Sequence, residues 1–342
     1  MILSICIPSY NRFDNLKRII GSLLAVDSDD FEVVIVDNRS SNDIFQYLNF
    51  VDKRVKIIKR ENSVDGKTNC RQVFDYATGE YVMCLLDKDY LNSEFLLLFI
   101  EKLKILSQSS DLTCGFCSLN SKVSLYKIEL NKRSDFYYFA YYMRHPSGMF
   151  IKKKYIHYDN LNTDELDRYS AFGMELLFAS AYAFGTMVEF CYPMIETEKE
   201  DVAAQVKSYS YSEDNNNIWF FPSCRIEGYD AYMRHLNKLN ISYSEYCKVS
   251  KKIFKEVVYA CTYGFENIIK NKNICAHYGI KSKNISFKEM MRNFNTVVIH
   301  MWTSTILDVG KVWRIKSIVT TSLYLICKRV KEIGRMCIRK VG

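Results

Sequence analysis

Asp87 and Asp89, separated by Lys88, end the apolar run Val82-Met83-Cys84-Leu85-Leu86. An unpaired carboxylate is costly to bury, so these charges belong at an edge, in a cleft or on a metal. Hard divalent cations such as Mn²⁺ or Mg²⁺ take oxygen ligands and keep positions open for phosphate oxygens. Two carboxylates suffice when a diphosphate completes the shell, and the cation then neutralises charge on that diphosphate as it departs. Asp87 and Asp89 are therefore candidate metal ligands. The same spacing also occurs in solvated turns, and position in the fold decides between the two. Asp37-Asn38 follows the strand-like run 32–36 in the same way. Asp37 can accept from a base N–H or a ribose hydroxyl, cap the following helix, or do both. Arg12 and Arg71 bring cations to the same edge, within reach of phosphate.

The elements that must hold these residues are legible over the first hundred positions. Residues 3–7 are a short apolar strand, followed by the turn-prone Pro8-Ser9-Tyr10-Asn11. Phe13, Leu16, Ile19, Ile20, Leu23 and Leu24 then recur at helical spacing. Residues 32–36 and 55–58 read as the second and third strands, with Ile44, Phe45 and Leu48 on a short helix between them. Val73, Phe74 and Ala77 read as a helix closed by Gly79, and residues 81–86 as the fourth strand. Ser93 is expected to cap a helix whose apolar side includes Leu96, Phe99, Ile100 and Leu103. Apolar strands alternating with helices imply a parallel sheet covered on both faces. Such sheets bind ligands beyond the carboxyl ends of their strands. The polar clusters 8–12, 37–43 and 87–89 fall at those ends, so one rim carries one site.

The rhythm loosens after Lys104. Tyr126, Ile128 and Leu130 alternate like a strand. His145-Pro146-Ser147-Gly148 reads as a turn before a strand at 149–151, with a helix expected over 173–183 and a strand over 186–190. Beyond residue 215 the patterns are mainly helical. The expected division is an α/β domain over 1–214 and a helical region over 215–342.

Three stretches, "SICIPSYNR", "FEVVIVDNRSSND" and "CRQVFDYATGEYVMCLLDKDYL", carry a resemblance. Together they look like the nucleotide-sugar half of the inverting glycosyltransferases of family 2, which have the GT-A (Rossmann-like) fold. Pro8, Tyr10, Asn11 and Arg12 match the family's first turn. Asp37, Asn38, Ser40 or Ser41, and Asp43 match its first acidic cluster, and Arg71 its central arginine. Asp87 and Asp89 match its metal motif. The likeness is close over residues 1–100. It implies a nucleotide-sugar donor, UDP-linked, a glycan or lipid-linked saccharide acceptor, and Mn²⁺ or Mg²⁺. It implies substrate-binding roles for Pro8, Tyr10, Asn11, Arg12, Asp37, Asn38, Arg71 and Asp87. Asn38 and Gln72 replace the commoner Asp and Asn, and Lys88 replaces an acid found in many relatives. Further on, Glu175 in "FGMELLFA" stands where the family keeps its catalytic base, with Met174 in place of a first acid. A helix N-terminus keeps such a carboxylate ionised to take the acceptor's proton. Asp164, Glu165 and Asp167 are the rival bases, and His145 is a candidate for the acceptor cleft.

Composition excludes several classes. The 342 residues are 48% hydrophobic and 25% charged, enough to build a core without staples. The 12 cysteines are scattered through apolar positions, which points to a reducing compartment, and Cys114-Gly115-Phe116-Cys117 reads as two inert thiols. The first residues lack a basic segment, so a cytosolic protein is expected. No Gly-rich phosphate loop is present. That weighs against the rival nucleotidyltransferase reading; a non-catalytic assembly scaffold on the same fold is the other alternative. Residues 311–342 hold nine Lys and Arg against Glu332, a net +8 equal to that of the whole chain. Ile315, Ile318, Val319, Ile326, Val330 and Ile333 fall near one helical side there. The expected reading is an amphipathic basic tail lying on the inner face of an anionic membrane, or packed on the body, without nucleic-acid recognition.

Overall fold

The computed structural model describes residues 1–41, 52–109, 111–119, 133–142, 146–158, 174–197, 218, 220–305, 307 and 309–341. The expected helix around Ile44, the strand around Tyr126, and His145, Asp164, Glu165 and Asp167 lie outside them, as does Asp43. The chain separates into two compact units, Met1–Asp201 and Val202–Gly342.

Among its described residues the first unit is built on one eight-stranded sheet. Its elements in order are β1 (Leu3–Ser9), α1 (Phe13–Leu24), β2 (Phe31–Asp37), β3 (Val55–Lys59), α2 (Gly66–Gln72) and β4 (Tyr81–Cys84). There follow β5 (Asp89–Leu91), α3 (Ser93–Ser109), β6 (Leu112–Leu119), α4 (Arg133–Tyr142), β7 (Met149–Lys152), α5 (Met174–Tyr182) and β8 (Thr186–Thr197). The strand order is β3-β2-β1-β4-β7-β6-β8-β5. β1 to β4 are mutually parallel, as expected, so Ser9, Asp37, Lys59 and Cys84 end on one rim. β7 runs antiparallel to β4 and β6, and β5 antiparallel to β8, which makes the sheet mixed and mostly parallel. This is the GT-A-type α/β architecture that the family likeness implies. The reversal of β7 matters for the site, because it brings the turn before Met149 to the same rim.

Burial explains the strand patterns. Every residue of β1 and β2 is buried. Leu16, Ile19, Ile20 and Leu23 of α1 close one side of the sheet, and Leu96, Phe99, Ile100 and Leu103 of α3 join the same core. Phe99 sets its ring edge-on against Phe150 and Phe190, at 5.1 and 5.2 Å between centroids.

Several local expectations are corrected. Pro8 lies inside β1 rather than in a turn. The Cys6 carbonyl accepts the Leu85 N–H at 2.9 Å and the Ser9 carbonyl accepts the Asn38 N–H at 2.8 Å. Even-numbered residues of β1 therefore face β4, whose pairing stops at Cys84 before Pro8 would have to donate. The α3 cap is Asn92, not Ser93: its side-chain oxygen accepts the N–H of Glu94 at 3.1 Å and of Phe95 at 3.3 Å. Val73–Tyr76 is a 3₁₀ turn that follows α2. β4 ends at Cys84, two residues early, because Leu86 donates instead to the Ser147 hydroxyl at 2.9 Å.

Among the described residues of the second unit every regular element is a helix. The unit contains α6 (Pro222–Lys238), α7 (Tyr243–Tyr259), a π turn over Ala260–Gly264, α8 (Phe265–Ile269), α9 (Lys272–His277), α10 (Phe287–Thr303) and α11 (Lys311–Val341). Ser242 caps α7 with a reciprocal Glu245 contact. The expected boundary after residue 214 falls outside the described residues.

Candidate active site

The rim is built from loop ends that bind one another. Asn11 adopts φ 55°, a left-handed conformation that Asn tolerates better than most residues. That turn lets its N–H donate to the Ser40 hydroxyl at 2.8 Å, while its side-chain oxygen accepts the Ser41 N–H at 2.9 Å. Ser40 in turn donates its N–H to Asp37 Oδ2 at 3.1 Å, and its hydroxyl to Asp37 Oδ1. Asp37 is fully buried at the end of β2. Asn38 pairs reciprocally with the Val64 backbone, donating at 2.7 Å and accepting at 2.9 Å, and so fastens the loop that leads to α2. Asp65 caps α2 through the N–H groups of Lys67 and Thr68.

The two motif carboxylates sit differently. Asp87 and Lys88 form a turn, and Asp89 opens β5. Asp87 is largely buried, its side chain 15% exposed, with its Oδ2 taking the Tyr10 N–H at 3.2 Å and its Oδ1 facing Arg12 Nε at 3.5 Å. Burial raises its pKa from the usual 3.8 to about 6, against the pull of Arg12 and the Tyr10 N–H. Asp89 is fully buried, and the Ser147 hydroxyl donates to its Oδ2. Ser147 also receives the Leu86 N–H, so one side chain positions both ends of the motif. The turn that carries Ser147 depends on Gly148. Its φ is +86°, and an added Cβ would sit 2.9 Å from the Ile195 side chain.

The sequence-predicted residues divide accordingly. Tyr10, Asn11, Arg12, Asp37, Asn38, Asp87 and Asp89 converge at the carboxyl rim. Tyr10 contributes its N–H while its ring is exposed, and Pro8 is buried beneath in β1. Arg71 is buried on α2, where it donates to Thr68 at 3.3 Å and its carbonyl accepts the Tyr158 hydroxyl at 2.8 Å. The Cys70 thiol lies close enough to feel both Asp87 and Arg71, and burial pushes it up to about 12. Glu175 is half-buried in the first turn of α5, a helix that packs on β6 and β7 of the same sheet. Cys114 and Cys117 are buried free thiols raised by that burial, which suits inert side chains. The sequence reading left Ser40 or Ser41 open beside Asp37, and the structure selects Ser40; it missed Ser147, whose only signal was a Ser-Gly turn.

The donor set suits a hard cation. Two carboxylates lie two residues apart at one rim, and burial penalises the charge of Asp87 even with Arg12 and Lys88 beside it. Among the described residues no group of three or more His, Cys, Asp or Glu gathers for a metal, so donor phosphate oxygens and water would complete the shell.

A family model described as Glycosyl transferase family 2 matches residues 4–148. GalNAc(5)-diNAcBac-PP-undecaprenol beta-1,3-glucosyltransferase of Campylobacter jejuni is 34% identical over 104 residues, covering 29% of this chain and 34% of that protein. Poly(ribitol-phosphate) beta-glucosyltransferase of Bacillus spizizenii is 31% identical over 121 residues, covering 34% of this chain and 19% of that protein. The chain thus spans about a third and a fifth of the lengths of these two curated relatives. Among solved structures, S. aureus TarS 1-349 in complex with UDP-GlcNAc aligns over 88% of this chain and 91% of that one, with 16% identity and a TM-score of 0.48. The mannosyltransferase PcManGT from Pyrobaculum calidifontis, in complex with GDP-Man and Mn²⁺, aligns over 97% and 86%, with 12% identity and a TM-score of 0.49. The matched segment runs from β1 to the Ser147 turn that holds Asp89 and so includes the rim: over residues 4–148 the chain is similar to the glycosyl transferase family 2 domain.

Proposed function

We propose that this chain is a metal-dependent inverting glycosyltransferase. It moves a sugar from a nucleotide donor, UDP-linked, to a hydroxyl of a glycan or lipid-linked saccharide in surface-polysaccharide synthesis. The observation that carries the reading is the convergence of Asp37, Asp87, Asp89 and Arg12 on one rim of a family 2 domain. Both curated relatives are named as glucosyltransferases, one for an undecaprenol-linked saccharide, so a glucosyl donor is the first to test.

In this mechanism Asp37 reads the base or ribose from the end of β2, and Asn11 with Ser40 holds it in place. Asp87 and Asp89 hold Mn²⁺ or Mg²⁺, which supplies charge neutralisation on the departing diphosphate. Ser147 fixes the Asp89 carboxylate, and Arg12 with the Tyr10 N–H fixes Asp87. Arg71 steadies the donor. Glu175, in the first turn of α5, accepts the proton of the attacking hydroxyl.

Titration calorimetry of UDP with and without Mn²⁺, followed by a hydrolysis screen of nucleotide sugars, tests the reading. UDP binding that needs Mn²⁺, with turnover of one donor, is the expected result. Pyrophosphate release from a nucleoside triphosphate would make the chain a nucleotidyltransferase instead. Glu175→Gln should keep donor binding while losing roughly a hundredfold or more in turnover; unchanged turnover would move the base elsewhere.

A further inference from the structure

Helix α11 is turned inside out. A helix of a water-soluble unit buries its apolar side. Here Ser317 and Thr321 are buried, at 1% and 2% exposure. Tyr324 and Lys328 continue that side along the helix and clasp α7. The Lys255 ammonium lies 3.8 Å from the Tyr324 ring centroid, and that of Lys328 lies 3.8 Å from the Tyr259 centroid. At the root of α11, Arg314 donates to the carbonyls of Met301, Trp302, Leu307 and Val309 at 2.7 to 3.1 Å. The helix is therefore held by polar contacts on its inner side.

Its outer side is a continuous apolar stripe. Val312, Ile315, Val319, Leu323 and Ile326 follow one another at spacings of three and four residues, and each is at least half exposed. The stripe differs from the side expected from sequence: Ile318 is half-buried, and Leu323 takes its place outside. The neighbouring α10 adds Ile299 at 61% and Trp302 at 46% exposure.

Charge selects the occupant. Lys311 and Lys316 are exposed beside the stripe, and residues 311–342 carry a net +8. Two copies meeting through this side would bring like charges together. An anionic lipid surface accepts both halves of the pattern, with apolar side chains at the acyl boundary and lysines among the headgroups. Trp is suited to that boundary. No helix among the described residues is long and apolar enough to cross a membrane, so the contact is one of lying on the surface. We infer that the outer side of α11 docks this protein on anionic membranes. The inference stands independently of the glycosyltransferase reading.

The test is sedimentation of the full chain with vesicles of phosphatidylcholine plus phosphatidylglycerol, against phosphatidylcholine alone. Wild type should bind the anionic vesicles, and raising salt should weaken it. Val319→Glu with Leu323→Glu, at exposed positions, should weaken binding at least about tenfold, with an unchanged circular dichroism spectrum. Val319→Ser with Leu323→Ser gives the same reading if the acidic pair misfolds. Absence of wild-type binding, equal binding to neutral vesicles, or retention by both pairs would overturn the inference. So would a wild-type dimer in light scattering that the acidic pair converts to monomer, since the stripe would then be a self-interface.

Discussion

The two ends of the central sheet treat a buried acid in opposite ways. At the amino end, Glu32 Oε1 receives the Ser4 hydroxyl at 2.6 Å, the Thr78 N–H at 2.5 Å and the Thr78 hydroxyl at 2.9 Å. Ser4 also accepts the Gly79 N–H at 2.8 Å, and Gly79 is needed there because a Cβ would lie 2.7 Å from the Ser4 oxygen. Burial acts to raise the Glu32 pKa, but the hydrogen bonds from Ser4, Thr78 and Gly79 outweigh it and hold it below the usual 4.5. At the carboxyl end, burial wins at Asp87 and lifts it to about 6 despite Arg12 and Tyr10. An acid satisfied by its own chain fastens the fold. An acid that burial penalises despite a cation and an N–H beside it is matched to something that arrives from outside.

The contrast breaks first at Asp89. Asp89→Asn keeps an oxygen for the Ser147 hydroxyl, so the fold should survive. Loss of a metal ligand that stabilises leaving-group charge should lower transfer by roughly a thousandfold, with Mn²⁺-dependent UDP binding lost in calorimetry. Transfer at the wild-type rate would detach the rim from the chemistry. The opposite profile is expected at the other end. Glu32→Ala leaves the Ser4 hydroxyl and the Thr78 N–H without their acceptor, at a cost of about 3–4 kcal/mol, read by denaturant unfolding. Turnover per folded molecule should not change. The pH dependence follows in sign: a folded pKa below 4.5 gives stability that is full above that value and fades as pH falls through the folded pKa. Glu32→Gln should flatten that acid limb, and an unaltered limb would assign it to other carboxylates.

How much of this was legible depends on whether the signal is local. Asp37, Asp87 and Asp89 could be read because each interrupts a buried run within a few residues, and the βα rhythm then assigns them to one edge. The Ser147 contact with Asp89 spans 58 positions, and no local pattern announces it. β5 is three residues long, too short for a periodic signature, yet it aligns Asp89 with Thr197. The cap moved from Ser93 to Asn92 because both residues suit the position and only backbone geometry chooses between them. In α11 the period was legible and the direction was not: a stripe of apolar residues says that one side is special, and the surroundings decide whether it turns inward.

Ser147 offers a finer test, since it acts on the rim without being part of the motif. Ser147→Ala removes the hydroxyl that orients Asp89 and receives the Leu86 N–H. Groups that orient a metal ligand are typically worth about 10–100-fold. A weaker apparent Mn²⁺ affinity with partial rescue at high Mn²⁺ is therefore expected. Loss of stability without any change in Mn²⁺ dependence would make Ser147 a link between strands only.

The smallest effect should come from Asp87→Asn in the ligand-free protein, and its sign is the point. The substitution removes a carboxylate that burial penalises, while the amide oxygen can still accept the Tyr10 N–H. Stability should hold or rise by up to about 1 kcal/mol, the usual scale when a functional group is relieved, and thermal unfolding should shift upward by about 2–4 °C. Activity should fall in the same variant. The gain in stability with the loss in activity is what separates this end of the sheet from Glu32, where removal weakens the fold and spares turnover. A drop in melting temperature for Asp87→Asn comparable to that of Glu32→Ala would make Asp87 another fastening of the fold, and the carboxyl rim would then lose its claim to be poised for a cation.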